Sequence, residues 1–259
     1  MVKVYILINY GVSLFMEFDA VIGSEYQFFA YSSPHIITLA LFIFSIAALY
    51  FSRNWLKRGQ RGRYGRYLLA CVLILCELTL NWWYVDQNIY SIKDTLPLEL
   101  CSISLYLCVF MLLFNNRFIF QIAYFIGIGG AIQALLTPVL FYGAPHFRFF
   151  QFFIAHIVII LAVLYMAWVE GCRPTLKSVA LTMGFLNVLL VIVLPINWLT
   201  GGNYMFLSKK PETGSLLDYL GPYPWYLLSM EIFALFFFLL LYLPFSKGLR
   251  RLKVKNRSI

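Results

Sequence analysis

The sequence predicts an all-α polytopic membrane protein, a bundle of about seven transmembrane helices with its N-terminus outside and its C-terminus in the cytoplasm. Three observations lead there. Of 259 residues, 62% are hydrophobic and only 12% charged, more apolar surface than a soluble domain of this size buries. The apolar residues gather into seven runs, each close to the ~20 residues that climb a ~30 Å hydrocarbon core at ~1.5 Å per residue. The basic residues, finally, fall mostly on one side of those runs.

The runs lie near His35 to Phe51, Tyr67 to Val85, Leu98 to Phe114, Phe118 to Tyr142, Phe149 to Val169, Ser178 to Leu199 and Pro224 to Phe245. The fourth is long enough to tilt or kink, with Gly127, Gly129, Gly130 and Pro138 inside it. Residues 1–33 are apolar too, but Glu17, Asp19 and Glu25 interrupt them and no basic start precedes a small-residue cleavage site. They read as an interfacial or partly re-entrant segment, with an eighth span as the alternative. No long linker, low-complexity run or repeat divides the chain, so residues 1–259 form a single transmembrane domain ending in a basic tail, 246–259.

Charge sets the orientation. The connection after the first run holds Arg53, Lys57, Arg58, Arg61, Arg63 and Arg66, and the tail holds Lys247, Arg250, Arg251, Lys253, Lys255 and Arg257. With Arg117, Arg173 and Lys177, 15 of the 20 Lys and Arg share one side, which the positive-inside rule makes cytoplasmic. Such clusters beside apolar runs are topogenic, and their partner is the surface of membrane phospholipids, not nucleic acid. The protein is expected in the cell membrane as a multi-pass species. Its oligomeric state is open.

Cofactor chemistry finds no support. Cys71, Cys76, Cys101 and Cys108 fall within runs and Cys172 in a cytoplasmic loop, so free thiols are expected. His35, His146 and His156 are far apart and no CxxC occurs, so no metal site is expected. Walker, dinucleotide and GxSxG patterns are missing as well, leaving no cofactor.

The informative residues are the ionisable ones inside apolar runs, because burying them in lipid costs free energy unless they serve a site or a structural contact. They are Glu77, Glu99, His156 and Glu231. Counted from the outer end of each span at 3.6 residues per turn, Cys101, Asn81, His156, Glu231 and Gln133 lie one to three turns deep. These residues therefore share the outer half of the membrane and are candidates for one cavity. The plainer alternative for each is a hydrogen bond between helices, or a cysteine packed as a small hydrophobe.

Several motifs carry a family resemblance. Leu96-Pro97-Leu98-Glu99-Leu100-Cys101-Ser102, Phe120-Gln121-Ile122-Ala123-Tyr124-Phe125, Phe147-Arg148-Phe149-Phe150-Gln151-Phe152-Phe153-Ile154-Ala155-His156 and Gly202-Asn203-Tyr204-Met205-Phe206-Leu207 resemble the YwaF-type bacterial membrane proteins. So do Ser215-Leu216-Leu217-Asp218 and Gly221-Pro222-Tyr223-Pro224-Trp225-Tyr226. That group is more distantly similar to eukaryotic transmembrane protein 164, a membrane acyltransferase of ether phospholipid metabolism. The resemblance implies a cysteine nucleophile and a histidine. His156 matches the histidine, whereas Leu98 stands where the related enzyme has its cysteine, with Cys101 about one helical turn further on. Where many relatives have histidine in LPLHLC, this chain has Glu99.

The chemistry so implied is acyl transfer, with Cys101 as nucleophile, His156 as its base and Glu99 or Glu231 orienting the imidazole. Asn81, Gln133 and Asn203 are candidate donors to the oxyanion, and Gln151, Tyr204, Glu77 and Glu231 complete the candidate substrate-binding set. Two other classes remain: a transporter using the same polar cavity, with breaks at Gly129-Gly130 and Pro195, and a lipid-binding sensor built on Trp82-Trp83-Tyr84 and Tyr223-Pro224-Trp225-Tyr226.

The topology is testable directly. Single cysteines at Gly62 and in the C-terminal tail are expected to label only from the cytoplasm, and those at Ser91 and Thr213 only from outside. Labelling that requires an even number of spans overturns it.

Overall fold

The computed structural model describes residues 27–210 and 219–246. Most of the expected interfacial segment, the Ser215 to Asp218 motif, Thr213 and nearly all of the basic tail lie outside those residues. Among the described residues, seven α-helices follow one another: α1 (Ser33–Leu56), α2 (Arg61–Asp86), α3 (Leu100–Phe114), α4 (Arg117–Leu136), α5 (Phe147–Trp168), α6 (Leu176–Thr200) and α7 (Trp225–Tyr242). Six are long and apolar enough to cross a membrane; α3, at 15 residues, is shorter. Among the described residues, pairing of strand type is limited to one bridge between Gln27 and Tyr142.

Local chemistry fixes the ends. Asn115 closes α3 in the left-handed region at φ 49°, and the Asn116 side chain then accepts from the amides of Phe118 and Ile119 to open α4. This two-residue turn makes α3 and α4 an antiparallel hairpin. Thr175 and Ser178 form a reciprocal capping box for α6. The fourth run was expected to continue to Tyr142, but α4 stops at Leu136, two residues before Pro138. Proline restricts the residue before it to extended backbone and removes an N–H, so the chain turns back there. The expected breaks at Gly129-Gly130 and Pro195 do not occur: α4 and α6 run through them.

Helices α4 and α5 occupy the centre. Each buries most of its residues inside the chain, whereas α1, α6 and α7 leave most of theirs on the outer surface. Helices α2 and α3 pack on one side of the pair, α6 and α7 on the other, and α1 lies against α5. Lipid is as apolar as leucine, so helices in a membrane associate through close packing and hydrogen bonds rather than hydrophobic exclusion. Gly127 supplies the close packing: a Cβ there would lie 3.3 Å from Ile159 Cγ2, 3.5 Å from Val163 Cγ1 and 4.0 Å from Cys108 Sγ. One glycine thus brings α3, α4 and α5 together.

Side-chain hydrogen bonds fasten the end that carries the basic α1–α2 loop. Arg66 Nη1 donates to Leu112 O (3.1 Å), Tyr165 Oη to Gly62 O (3.0 Å), and Ser178 Oγ donates to Gln121 Oε1. At the opposite end His35 is fully buried, with Nδ1 accepting from the Tyr31 amide and Nε2 donating to Leu135 O, both at 2.8 Å. His35 therefore pins α1 to the last turn of α4 and has no spare ring nitrogen for a site.

Gly127→Leu is expected to cost at least about 1–3 kcal/mol, because the added side chain overpacks the three-helix contact. The loss should be partly recovered in Gly127→Leu/Ile159→Ala. Thermal unfolding in detergent measures both; an unchanged midpoint for the single variant would contradict the packing described.

Candidate functional site

A polar network occupies the seam between α2, α3 and α5. Glu77 is buried on α2, and its Oε1 accepts from Tyr106 Oη at 2.6 Å and from Asn81 Nδ2 at 3.1 Å. Asn81, four residues on, reaches Glu77 because residues i and i+4 share a helix face. Across the seam Gln151 Nε2 donates to Cys76 O (3.2 Å), and Gln151 Oε1 accepts from Arg148 Nη1. The Arg148 guanidinium lies 5.6 Å from the Trp83 ring centre and 5.8 Å from that of Tyr84. Glu77 is within electrostatic range of Arg148, yet no ion pair joins them. A carboxylate and a guanidinium held in an apolar bundle by neutral partners are both left able to meet a further charged group.

His156 belongs to the same face of α5 as Arg148 and Phe152, since 148, 152 and 156 are successive i, i+4 positions. It is buried; its Nδ1 lies 2.6 Å from Phe152 O, and its ring is 4.2 Å from that of Phe152. A carbonyl oxygen only accepts, so Nδ1 carries the proton and Nε2 presents its lone pair. Nε2 makes no hydrogen bond to the described residues. The Phe152 carbonyl, and neither Glu99 nor Glu231, is the group that bonds to this ring.

Cys101 lies in the first turn of α3, part-buried, with Sγ 3.8 Å from where a Cβ on Gly130 would be. It is not hydrogen-bonded to His156. The two are nonetheless placed by the same contact: Cys108 on α3 and Ile159 on α5 meet at Gly127, and toward the far end Cys101 lies two turns beyond Cys108 while His156 lies one turn beyond Ile159. Glu99 precedes α3, and its Oε2 accepts from the Met205 amide at 3.1 Å.

The shortness of α3 shapes the space above it. Fifteen residues of helix rise only ~22 Å, so non-helical backbone, residues 95–99, continues the path where a longer helix would run. Such backbone is tolerated at membrane depth where it lines a cavity. A cavity of about 300 Å³ lies here, with Lys93, Asp94, Glu99 and Asn203 beside apolar Val139 and Phe141. Asn203 and Tyr204 hold its wall in place. Asn203 Oδ1 accepts from the amides of Ser208 and Lys209 (3.0 and 2.9 Å), and Tyr204 Oη donates to Ile92 O (2.6 Å) while accepting from the Leu96 amide (3.0 Å).

The structure thus divides the residues singled out in the sequence. Glu77, Asn81 and Gln151 share the α2/α3/α5 seam, His156 lies further along α5 against Phe152, and Cys101 lies in the first turn of α3. Glu99, Asn203 and Tyr204 meet at the cavity. Gln133 is exposed on α4, and Glu231 is part-buried on α7; neither side chain hydrogen-bonds to the described residues or lines that cavity. Arg148 and Tyr106 were missed. Arg148 stood in the sequence only as part of the Phe147 to His156 motif, although its spacing of eight residues from His156 puts both near one helix face. Nothing in sequence spacing indicated that Tyr106 would reach Glu77 from another helix.

All five cysteines are free thiols, and burial pushes the Cys172 thiol, in the α5–α6 connection, above its ordinary pKa despite Arg117. No cluster of three His, Cys, Asp or Glu that could hold a metal occurs among the described residues. No curated protein and no solved structure matches the chain significantly. Residues 30–242, from just before α1 to the end of α7, match the model of the TMEM164 family. This multi-pass membrane protein therefore belongs to the TMEM164 family.

Proposed function

We propose that the protein is a phospholipid acyltransferase whose site lies in the outer half of the membrane, with Cys101 as nucleophile and His156 as base. The observation that carries the reading is the His156 imidazole: a buried ring, held through Nδ1–H by a backbone carbonyl, whose Nε2 lone pair has no partner among the described residues. A buried histidine serving structure alone uses both nitrogens, as His35 does.

In the proposed reaction the Cys101 thiol passes its proton to His156 Nε2, and the thiolate attacks an ester carbonyl of a phospholipid. The carbon–oxygen bond of the ester breaks, and the departing lysolipid oxygen takes the proton back from Nε2. The acyl chain is left as a thioester on Sγ. A lysolipid hydroxyl, deprotonated by the same nitrogen, then takes the acyl group and restores the thiol. Transfer requires Sγ and Nε2 within roughly 3.5 Å, and the absence of a side chain at Gly130 leaves space beside Sγ. Arg148 faces the same seam and supplies positive charge for the lipid phosphate or the developing oxyanion.

Purified protein incubated with acyl-labelled phospholipid is expected to acquire a hydroxylamine-labile label. Cys101→Ala should abolish it, His156→Ala should reduce its rate at least about tenfold, and Cys108→Ala should change it little. Label that survives Cys101→Ala would move the chemistry to another nucleophile. Absence of label, together with solute or lipid uptake that depends on Glu77, would replace the enzyme by a carrier.

A second expectation concerns the seam. Tyr106→Phe removes the donor from buried Glu77 and should destabilise the fold by about 1–3 kcal/mol, whereas Tyr106→Phe/Glu77→Gln should recover part of that loss. Equal losses in the single and double variants would show that the carboxylate does not depend on this bond.

A further inference from the structure

The end of the bundle opposite the acyl-transfer site carries a second pocket, about 230 Å³, formed where the α1–α2 loop meets the end of α5. Lys57, Arg63 and Arg66 line it together with a single acid, Glu170. Lys57 and Arg63 are exposed, and neither side chain has a hydrogen bond or ion pair with the described residues. Arg66 differs. It is 8% exposed, Nη1 is committed to Leu112 O, and Nε lies 3.1 Å from Glu170 Oε1. That approach is off the N–H direction, so Nε is a buried donor without a hydrogen-bond partner.

The backbone adds to this charge. Helix α2 is 26 residues long and starts at the pocket, yet its N-cap, Gln60, makes no side-chain capping bond and its first turn has no acidic residue. The first turn of α2 therefore brings the uncapped, positive end of the helix dipole to the pocket that Gln60, Gly62 and Arg63 line. Gly59, at φ 62°, has nothing within 4 Å of where a Cβ would lie, and a Cβ on Gly62 would lie 3.5 Å from both Glu170 Oε1 and Leu56 O. Three cations against one carboxylate leave two positive charges uncompensated. Around the pocket Trp55 and Tyr64 are exposed at 55% and 67%, as aromatic side chains are at the headgroup level of a bilayer.

We propose that this pocket binds a phosphomonoester dianion, and that its source is the headgroup of a lipid in the adjacent leaflet. The two uncompensated charges match a dianion, the uncapped start of α2 and the Arg66 side chain line the pocket, and the aromatic side chains place it where lipid phosphates lie. Topogenic charge alone needs neither a cavity nor a buried arginine with an unmatched donor. The inference is independent of the acyl-transfer reading, because the pocket shares no residue with that site.

The test uses the full-length protein in detergent, with thermal unfolding and tryptophan fluorescence as readouts. The probes are dioctanoyl phosphatidic acid, dioctanoyl phosphatidylcholine and inorganic phosphate. Dioctanoyl phosphatidic acid should raise the unfolding midpoint saturably, and dioctanoyl phosphatidylcholine should not. Lys57→Ala/Arg63→Ala, which alters only exposed side chains, should weaken the apparent affinity at least about tenfold. Glu170→Gln should tighten it, because the resident carboxylate competes for the same donors; a purely structural role for the Arg66–Glu170 pair predicts only a lower midpoint. Protection by inorganic phosphate at the same concentration would support the phosphate site and assign it to the free ion instead of a lipid. Equal protection by phosphatidylcholine, or unchanged affinity in the double variant, would overturn the proposal.

Discussion

The fold depends on the absence of one side chain. Gly127 lets α3 and α5 approach α4 until Cys108, Ile159 and Val163 touch its backbone face, and that contact sets the register of the three helices. Everything placed toward the far end inherits the register. Gly130 faces Cys101 there, and His156 and Arg148 follow Ile159 along α5. A membrane bundle has little hydrophobic driving force between its helices. Close contact at small residues, supplemented by side-chain bonds such as Arg66 to Leu112 O, is what holds these elements in a defined geometry.

Within that frame the polar residues sort by how fully they are satisfied. Asn203, Tyr204, Asn197 and His35 use their hydrogen-bonding groups on backbone atoms and so build loops and helix contacts. Glu77, Arg148 and His156 are different. Their partners are neutral, and each retains charge or a lone pair directed into protein instead of water. Buried groups with capacity left over are the ones suited to act on a bound molecule, which is why His156 carries the functional reading and His35 does not.

The two ends of the molecule differ in what lines their cavities. The far end combines a short helix, an irregular wall and a mixed polar and apolar cavity, which the proposed reaction would use for a lipid. The basic end combines an uncapped helix start and cations around a smaller pocket, which the proposed anion site would use for a phosphate group. A single helix, α2, runs between them: Arg66 lies near its start and Glu77 and Asn81 near its middle and far end.

Sequence by itself determined the elements. Apolar run lengths located all seven helices to within a few residues at most boundaries, because the hydrocarbon thickness imposes a length that composition reveals directly. Helical periodicity also gave Cys101, Asn81, His156, Glu231 and Gln133 a common expected depth. Facing direction was not legible. Whether a polar residue looks at lipid or at another helix depends on rotations fixed by distant contacts such as Gly127 with Ile159, so Gln133, at a suitable depth, proved exposed. The reach of Tyr106 to Glu77, the divergence of α4 before Pro138, and the pocket that Lys57 and Arg63 share with Arg66 and Glu170 were likewise decided by tertiary structure, which alone brings together residues separated by 29 positions in one case and more than 100 in the other.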